Sequence, residues 1–328
     1  MEQRVLGRTG RAVSVVGLGT WQLGADWGDV EESTALAVLD AAVEAGVTFF
    51  DTADVYGDGR SEQLIGRYLH GPGAGAGIFV ATKLGRRLPQ LPENYVMDNF
   101  RPWVERSLRN LDTDRLDLVQ LHCPPTPVYS SGEVFDALDT LVAEQKIAAY
   151  GVSVETCEEA LTAIARPGVA SVQIILNPFR LKPLEAVLPA AQAAGVGIIA
   201  RVPLASGLLS GRYTAETVFP KDDHRTYNRD GSAFDQGETF SGVDYATGVE
   251  AAVEFAQLAP AGATPAQTAL RWILQQPGVS SVIPGARSAE QARANASAAD
   301  LPALPEATLD AVRELYDRRI RAQVHGRW

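Results

Sequence analysis

The sequence predicts an α/β fold of the (β/α)8 TIM-barrel type, laid out as a single domain over 1–328, on three observations. Short β-branched apolar runs alternate with longer segments of helical period, which is the pattern of parallel β/α units. Eight such runs can be counted, the number a closed barrel needs. No G-x-G-x-x-G follows the first run, where a doubly wound dinucleotide binder would carry it, because Gly17-Leu18-Gly19-Thr20-Trp21 is too short.

The eight runs are 13–16, 47–50, 78–81, 116–121, 147–152, 172–176, 196–200 and 279–283. Each is nearly continuous in apolar residues, as a parallel strand covered on both faces requires. Between them, 31–45 places Leu36, Leu39 and Val43 on one helical face, and Gly46 supplies a left-handed stop. Further helices are expected over 94–110, 132–143, 155–165, 183–194, 265–275 and 288–298, each opened by a polar residue, glycine or proline. The segment 206–244 has no clear period and mixes Gly, Pro, Asp and Arg, so it reads as a long loop over the strand C-termini. A tail, 319–328, follows and is placed near the same face.

Composition narrows the function. Of the 328 residues, 46% are hydrophobic and 21% charged, which suits a globular core. Forty acidic against 29 basic side chains give a net charge of -11, the reverse of the basic footprint that nucleic acid or an anionic membrane surface selects. Neither is expected as a partner. Two cysteines, Cys123 and Cys157, make no disulfide or zinc framework and fit a reducing cytoplasm. The first residues lack an apolar signal core, and no apolar stretch is long enough to span a bilayer.

Function in such a barrel gathers where strands end, at their carboxyl side. The second strand ends in Phe50-Asp51-Thr52-Ala53-Asp54-Val55-Tyr56-Gly57, the third in Ala81-Thr82-Lys83 and the fourth in Gln120-Leu121-His122. Asp51, Tyr56, Lys83 and His122 form a candidate catalytic set. A lysine cation beside a tyrosine lowers its pKa by roughly one to three units. Asp51 can hold that ammonium, and His122 can donate to a carbonyl oxygen beside the tyrosine. The set suits reduction of a carbonyl by hydride. Asp54 reads as a cap of the following helix and Cys123 as a small core residue.

These residues resemble the aldo-keto reductase family, and the likeness covers nearly the whole chain. It is carried by Gly17-Leu18-Gly19-Thr20-Trp21, Phe50 to Gly57, Ala81-Thr82-Lys83, Leu111 to Asp114 with Asp117 to His122, Gly151-Val152-Ser153 and Ile283-Pro284-Gly285, in the family's order. The resemblance implies that Tyr56 is the general acid, with Asp51, Lys83 and His122 completing a tetrad, and that a nicotinamide dinucleotide lies extended across the barrel mouth. Gly19, Thr20, Trp21 and Asp51 would flank it. Ser153 and Gln173 match the residues that bind the carboxamide, while the asparagine usual beside the serine is Val154 here. Arg201 stands where many members stack an aromatic ring, and it could also reach phosphate. Pro203, Leu204, Ser206, Leu208, Ser210 and Arg212 lie where the family's loop folds over the pyrophosphate. Gly285, Arg287, Ser288, Gln291 and Asn295 open a helix suited to the adenosine phosphate, which favours NADP(H), with NAD(H) as the alternative.

The substrate is a small carbonyl compound, and Trp21, Trp27, Tyr56, His122 and Trp328 are the candidate pocket. Trp103 reads instead as a core residue of the helix from 94. Two other functions fit the same barrel. One is a nicotinamide-binding regulatory subunit resembling the channel-associated β subunits; the other is a lyase or isomerase that uses Tyr56 and Lys83 for proton chemistry alone. Oligomeric state has no sequence signal here.

Overall fold

A parallel sheet of eight strands curls until its first and last members meet. The computed structural model describes residues 1–24 and 31–328. In chain order the barrel strands are β3 (Leu18–Gly19), β4 (Phe49–Asp51), β5 (Phe79–Leu84), β6 (Leu118–His122), β7 (Tyr150–Ser153), β8 (Val169–Ile175), β9 (Gly197–Arg201) and β10 (Val279–Val282), each paired with the next. Parallel bridges from Val16 to Val282 and from Gly19 to Gly285 close the ring.

The run expected as one strand at 13–16 is divided. Its first part, β2 (Ala12–Ser14), pairs antiparallel with β1 (Gln3–Val5) in a hairpin beneath the barrel, and only from Val16 does the chain join the ring. The apolar residues there serve two sheets in succession, and periodicity carries no mark of the change. Gly7, in the hairpin's turn at φ +48°, passes so close to the floor that a Cβ would run into the Gly197 amide and the Ala170 carbonyl.

Helices wrap the outside: α1 (Glu32–Glu44), α2 (Arg60–Leu69), α3 (Met97–Leu111), α4 (Gly132–Ala143), α5 (Cys157–Ile164) and α6 (Val187–Ala194). After β9 come the short α7 (His224–Tyr227), then α8 (Tyr245–Ala256) and α9 (Pro265–Leu274), and after β10 α10 (Ala289–Ala296), α11 (Glu306–Leu315) and α12 (Arg321–Val324). The Gly46 stop ends α1 as expected: at φ +87° it lets Gly46 N donate to Val43 O (2.8 Å) and Val47 N to Ala42 O (3.0 Å), so the chain turns directly into β4. Trp103 is buried on α3. Among the described residues no helix is long and apolar enough to cross a membrane.

Two cores result. The larger lies between sheet and helices. The smaller fills the lower barrel, where Phe49, Phe79, Ala81, Leu118, Ile199 and Ile283 meet Leu6 and Val13 of the hairpin. Side chains two positions apart on a strand share a face. Asp51, Lys83, Gln120, His122 and Arg201 therefore stand above Phe49, Phe79, Leu118 and Ile199, and the interior turns from apolar to charged along its axis.

Candidate active site

Asp51 ends β4 with its carboxylate buried, and three donors converge on it. Lys83 Nζ pairs with Oδ1, while Gln120 Nε2 and Gln173 Nε2 donate to Oδ2 at 2.9 and 2.8 Å. Its backbone carbonyl accepts from both the amide and the hydroxyl of Thr20, each at 2.9 Å. Lys83 also donates to Thr52 O (2.9 Å) and to the Tyr56 hydroxyl (3.3 Å). The His122 ring stands edge-on to Tyr56, centroids 5.9 Å apart, and Trp21 stacks on Tyr56 at 6.0 Å. The four residues singled out in the sequence therefore come together, with Trp21 beside them.

Burial dominates the proton affinities. It raises Tyr56 above the ordinary phenol range, and Lys83 opposes this only in part, so the expected net lowering does not hold in the protein alone. For Lys83 burial acts downward, but Asp51 and Tyr56 outweigh it and the ammonium is kept. His122 is driven well below its usual value by burial and by Arg86, Lys83 and Arg201, which leaves a neutral imidazole with a single N–H to give. Tyr56 thus keeps its proton, next to a cation that favours the phenolate left when the proton goes.

Other expected positions distribute unevenly. Ser153 lies in register with His122 and Gln173 at the mouth, its hydroxyl accepting from Cys123 Sγ (3.3 Å). Gln173 has its Nε2 committed to Asp51 and to Gln120 Oε1 (3.0 Å), not held free for an incoming amide. Arg201 Nη2 is taken by Glu155 (2.7 Å) and Val154 O (3.0 Å), so this arm does not reach toward a phosphate; its Nε has no partner. Asp54 does not cap α2, which starts behind Gly59, and both its carboxylate oxygens are buried without a partner. Cys123 is a buried thiol whose pKa burial pushes up, as a core residue's should be. Trp27 lies outside the described residues.

The 206–244 segment is built, with short helical turns at Ala205–Ser210, Gln236–Glu238 and Phe240–Gly242 besides α7. Ser206, at φ +54°, is its hinge pin: the hydroxyl donates to Glu238 O (3.2 Å) and accepts from Phe240 N (3.0 Å). Glu238 reaches down to Arg86 (2.8 Å) and Arg201 (3.7 Å), and Phe234 and His224 pack on Trp21. The segment therefore covers the mouth. Pro203 and Leu208 are buried, Leu204 packs against the core, Ser210 donates to Gly207 O (2.6 Å), and Arg212 is exposed. Trp328 joins this cover, donating from Nε1 to Asp235 (2.9 Å).

Sequence reasoning missed Gln120, Arg86, Glu155, Glu238 and Arg180. Only Gln120 carried a signal, as the polar residue between Leu118 and His122 on the inward face of β6.

The donor chemistry at the mouth bears on the expected dinucleotide. At the α10 N-terminus Ser288 Oγ caps Gln291 N (3.2 Å), Arg287 N is held by Gln291 Oε1 (2.8 Å), and Asn295 Nδ2 ties Gly285 O (3.1 Å). Gly19 and Gly285 pair across the closing seam, where a Cβ on Gly19 would sit 2.9 Å from Ile283 O and the Gln22 amide packs against Gly285, so the backbones approach too closely for side chains there. With Ser153 and the unpartnered Arg201 Nε at the other end, the residues fit an extended phosphate-bearing ligand.

Comparison with known proteins agrees. The family model described as "Aldo/keto reductase family" matches residues 15–317. The chain belongs to that family. It is similar to "Aldo-keto reductase YhdN" of Bacillus subtilis, 32% identical over 90% of this chain and 87% of the relative. It is similar also to "Aldo-keto reductase yakc [NADP(+)]" of Schizosaccharomyces pombe, 30% identical over 93% and 89%. Among solved structures, the glycerol dehydrogenase AKR11B4 of Gluconobacter oxydans superposes with a TM-score of 0.79 at 30% identity, covering 97% of this chain and 95% of that one. An aldo/keto reductase of Klebsiella pneumoniae in complex with NADP and acetate gives 0.72 at 26% identity, with 96% of each chain covered.

Proposed function

We propose that this aldo/keto reductase is an NADP(H)-dependent oxidoreductase that reduces a small aldehyde or ketone to an alcohol, with Tyr56 as the general acid. The observation that carries the reading is the hydrogen-bonded series Asp51, Lys83, Tyr56 at neighbouring strand ends, beside a neutral His122. When bound, the reduced nicotinamide supplies the hydride to the carbonyl carbon. His122 donates to the carbonyl oxygen and orients it; Tyr56 transfers its proton to that oxygen; Lys83, locked by Asp51, stabilises the phenolate until solvent restores the proton. The cover from 206 to 244 keeps water from the polarised carbonyl.

Ser153 would hold the carboxamide and Arg201 support the nicotinamide, while Gly285, Arg287 and the α10 N-terminus take the adenosine phosphate. Gln173 would act through Asp51. Support for NADP(H) over NAD(H) comes from the NADP in the Klebsiella structure and in the name of the fission-yeast relative. Two free, buried cysteines suit a reducing cytoplasm. The test is NADPH oxidation, beside NADH, over a panel of aldehydes, ketones, quinones and sugar aldehydes. Turnover that depends on Tyr56 establishes the reductase. Tight NADPH binding with no turnover on any member would overturn the reading in favour of a regulatory role.

A further inference from the structure

Three guanidinium groups stand around the mouth, Arg180 and Arg201 buried and Arg86 partly so, and they are not treated alike. Arg86 pairs with Glu238 at 2.8 Å and Arg201 with Glu155 at 2.7 Å. Arg180, on the turn after β8, is 2% exposed, yet its Nε, Nη1 and Nη2 all lack a hydrogen-bond partner. The turn is tied down: Asn177 Nδ2 donates to Val202 O and to Ser241 Oγ, both at 2.8 Å, joining β8, β9 and the cover beside Arg180. Its guanidinium lies over the Trp328 ring at 3.9 Å, with Arg327 near the same ring at 4.1 Å. Gly237 of the cover passes over it, where a Cβ would collide with Nη2. A cation taken out of water without an anion costs folding free energy, and a ring face replaces only part of it.

We propose that Arg180 binds an anionic group, carboxylate or phosphate, on the carbonyl substrate. This deepens the reductase reading and rests on it. A planar five-donor fork held against an indole is the geometry that takes a carboxylate or phosphate edge through two parallel hydrogen bonds. Arg180 belongs to a charged cluster that reaches the catalytic histidine: Glu155 and Arg201 act on it electrostatically, Arg86 lies 3.7 Å from Glu155, and Arg86 Nε donates to His122 O (3.3 Å). Local charge agrees. Burial raises the Glu155 carboxyl against the pull of Arg201, so the carboxylate nearest these guanidiniums holds its charge less readily than an exposed one.

The test uses purified protein, NADPH and two matched aldehyde pairs: succinic semialdehyde against methyl 4-oxobutanoate, and glyceraldehyde 3-phosphate against glyceraldehyde. One anionic member should exceed its neutral partner in kcat/KM by about ten-fold or more, through KM, and which pair does so separates carboxylate from phosphate. Arg180→Met should abolish that preference while neutral aldehydes keep their turnover within about two-fold, and Arg180→Lys should retain part of it. Succinate and inorganic phosphate serve as unreactive probes, and the one matching the preferred pair should raise the Tm of the wild type but not of Arg180→Met. An equal loss on neutral and anionic members makes Arg180 structural and overturns the proposal. So does Tyr56-dependent turnover with no anionic preference, which leaves the reductase reading standing. No turnover on these four aldehydes or on any member of the wider carbonyl panel breaks the reductase reading itself.

Discussion

The floor and the mouth of this barrel are built from the same strands and obey opposite rules. At the floor Phe49, Phe79, Leu118 and Ile199 close against Leu6 and Val13, with no ionisable group among them. Further up the same strands stand Asp51, Lys83, His122 and Arg201, all buried. The floor lowers the free energy of the fold, and the mouth raises it. Asp54 and Arg180 have buried polar atoms that nothing satisfies, and burial raises the Glu155 carboxyl. A site that must act on a carbonyl accepts that cost because ionised and dipolar groups are effective only where water is kept out.

The largest effect that would break this division concerns Tyr56. Tyr56→Phe should lower kcat by about 10²- to 10⁴-fold, followed as NADPH absorbance, with little change in Tm, because Lys83 keeps Asp51 and Thr52 O. A variant that kept most of its turnover would end the assignment of the acid. At the floor the signs reverse. Phe79→Ala should cost about 3–5 kcal/mol in urea unfolding while kcat/KM stays within a few-fold of wild type. A comparable loss of activity would show that the floor is part of the catalytic machinery.

Asp54 sharpens the contrast through pH. Burial, reinforced by Glu62 and opposed by Arg87 and Arg106, lifts it from 3.8 to about 7. Between about pH 4 and pH 7 the unfolded chain has lost this proton and the folded chain has not, so the fold binds more protons and its stability falls as pH rises. Asp54→Asn removes that slope: it should be more stable than wild type by about 2–4 kcal/mol at pH 8, with the gap closing near pH 4. Urea midpoints at the two pH values check it, and equal gaps at both would refute the linkage. The smallest effect lies outside both regions. Thr156 caps α5 in a reciprocal box with Glu159, and Thr156→Ala should cost about 1 kcal/mol with kinetics unchanged.

The division was legible in the sequence at one end only. Strand ends advertise Asp51, Lys83 and His122 because packing alone seldom puts a charged residue at the close of an apolar run, and α1 with its Gly46 stop could be read to within a residue. The hairpin could not be told from the first barrel strand, since Ala12 to Val16 is equally apolar for both. Helix α2 was expected only as an unbounded helix after Asp54; Gly66 interrupts its pattern, and is needed because a Cβ would press on Asn110 O at 2.7 Å. Glu238 meets Arg86 across 152 residues of chain, through a segment without period, and Arg180 arrives on a turn between elements, so no local pattern could announce either. The net direction at Tyr56 was misjudged for a related reason: the lysine is visible in sequence, and the depth of burial is not.

The hairpin also has a consequence for how the chain is made. Its strands leave the ribosome before those of the barrel, yet Arg4 Nη1 donates to Val279 O (2.8 Å), and Arg8 gathers the carbonyls of Ala194, Arg166, Pro167 and Val169 at 2.7–3.1 Å. These partners are synthesised up to 275 residues later. The nascent molecule therefore carries its own stopper unplaced until the last staves arrive, and its half-made barrel stays open at the bottom, with Phe49, Phe79 and Leu118 bare to whatever holds unfinished chains.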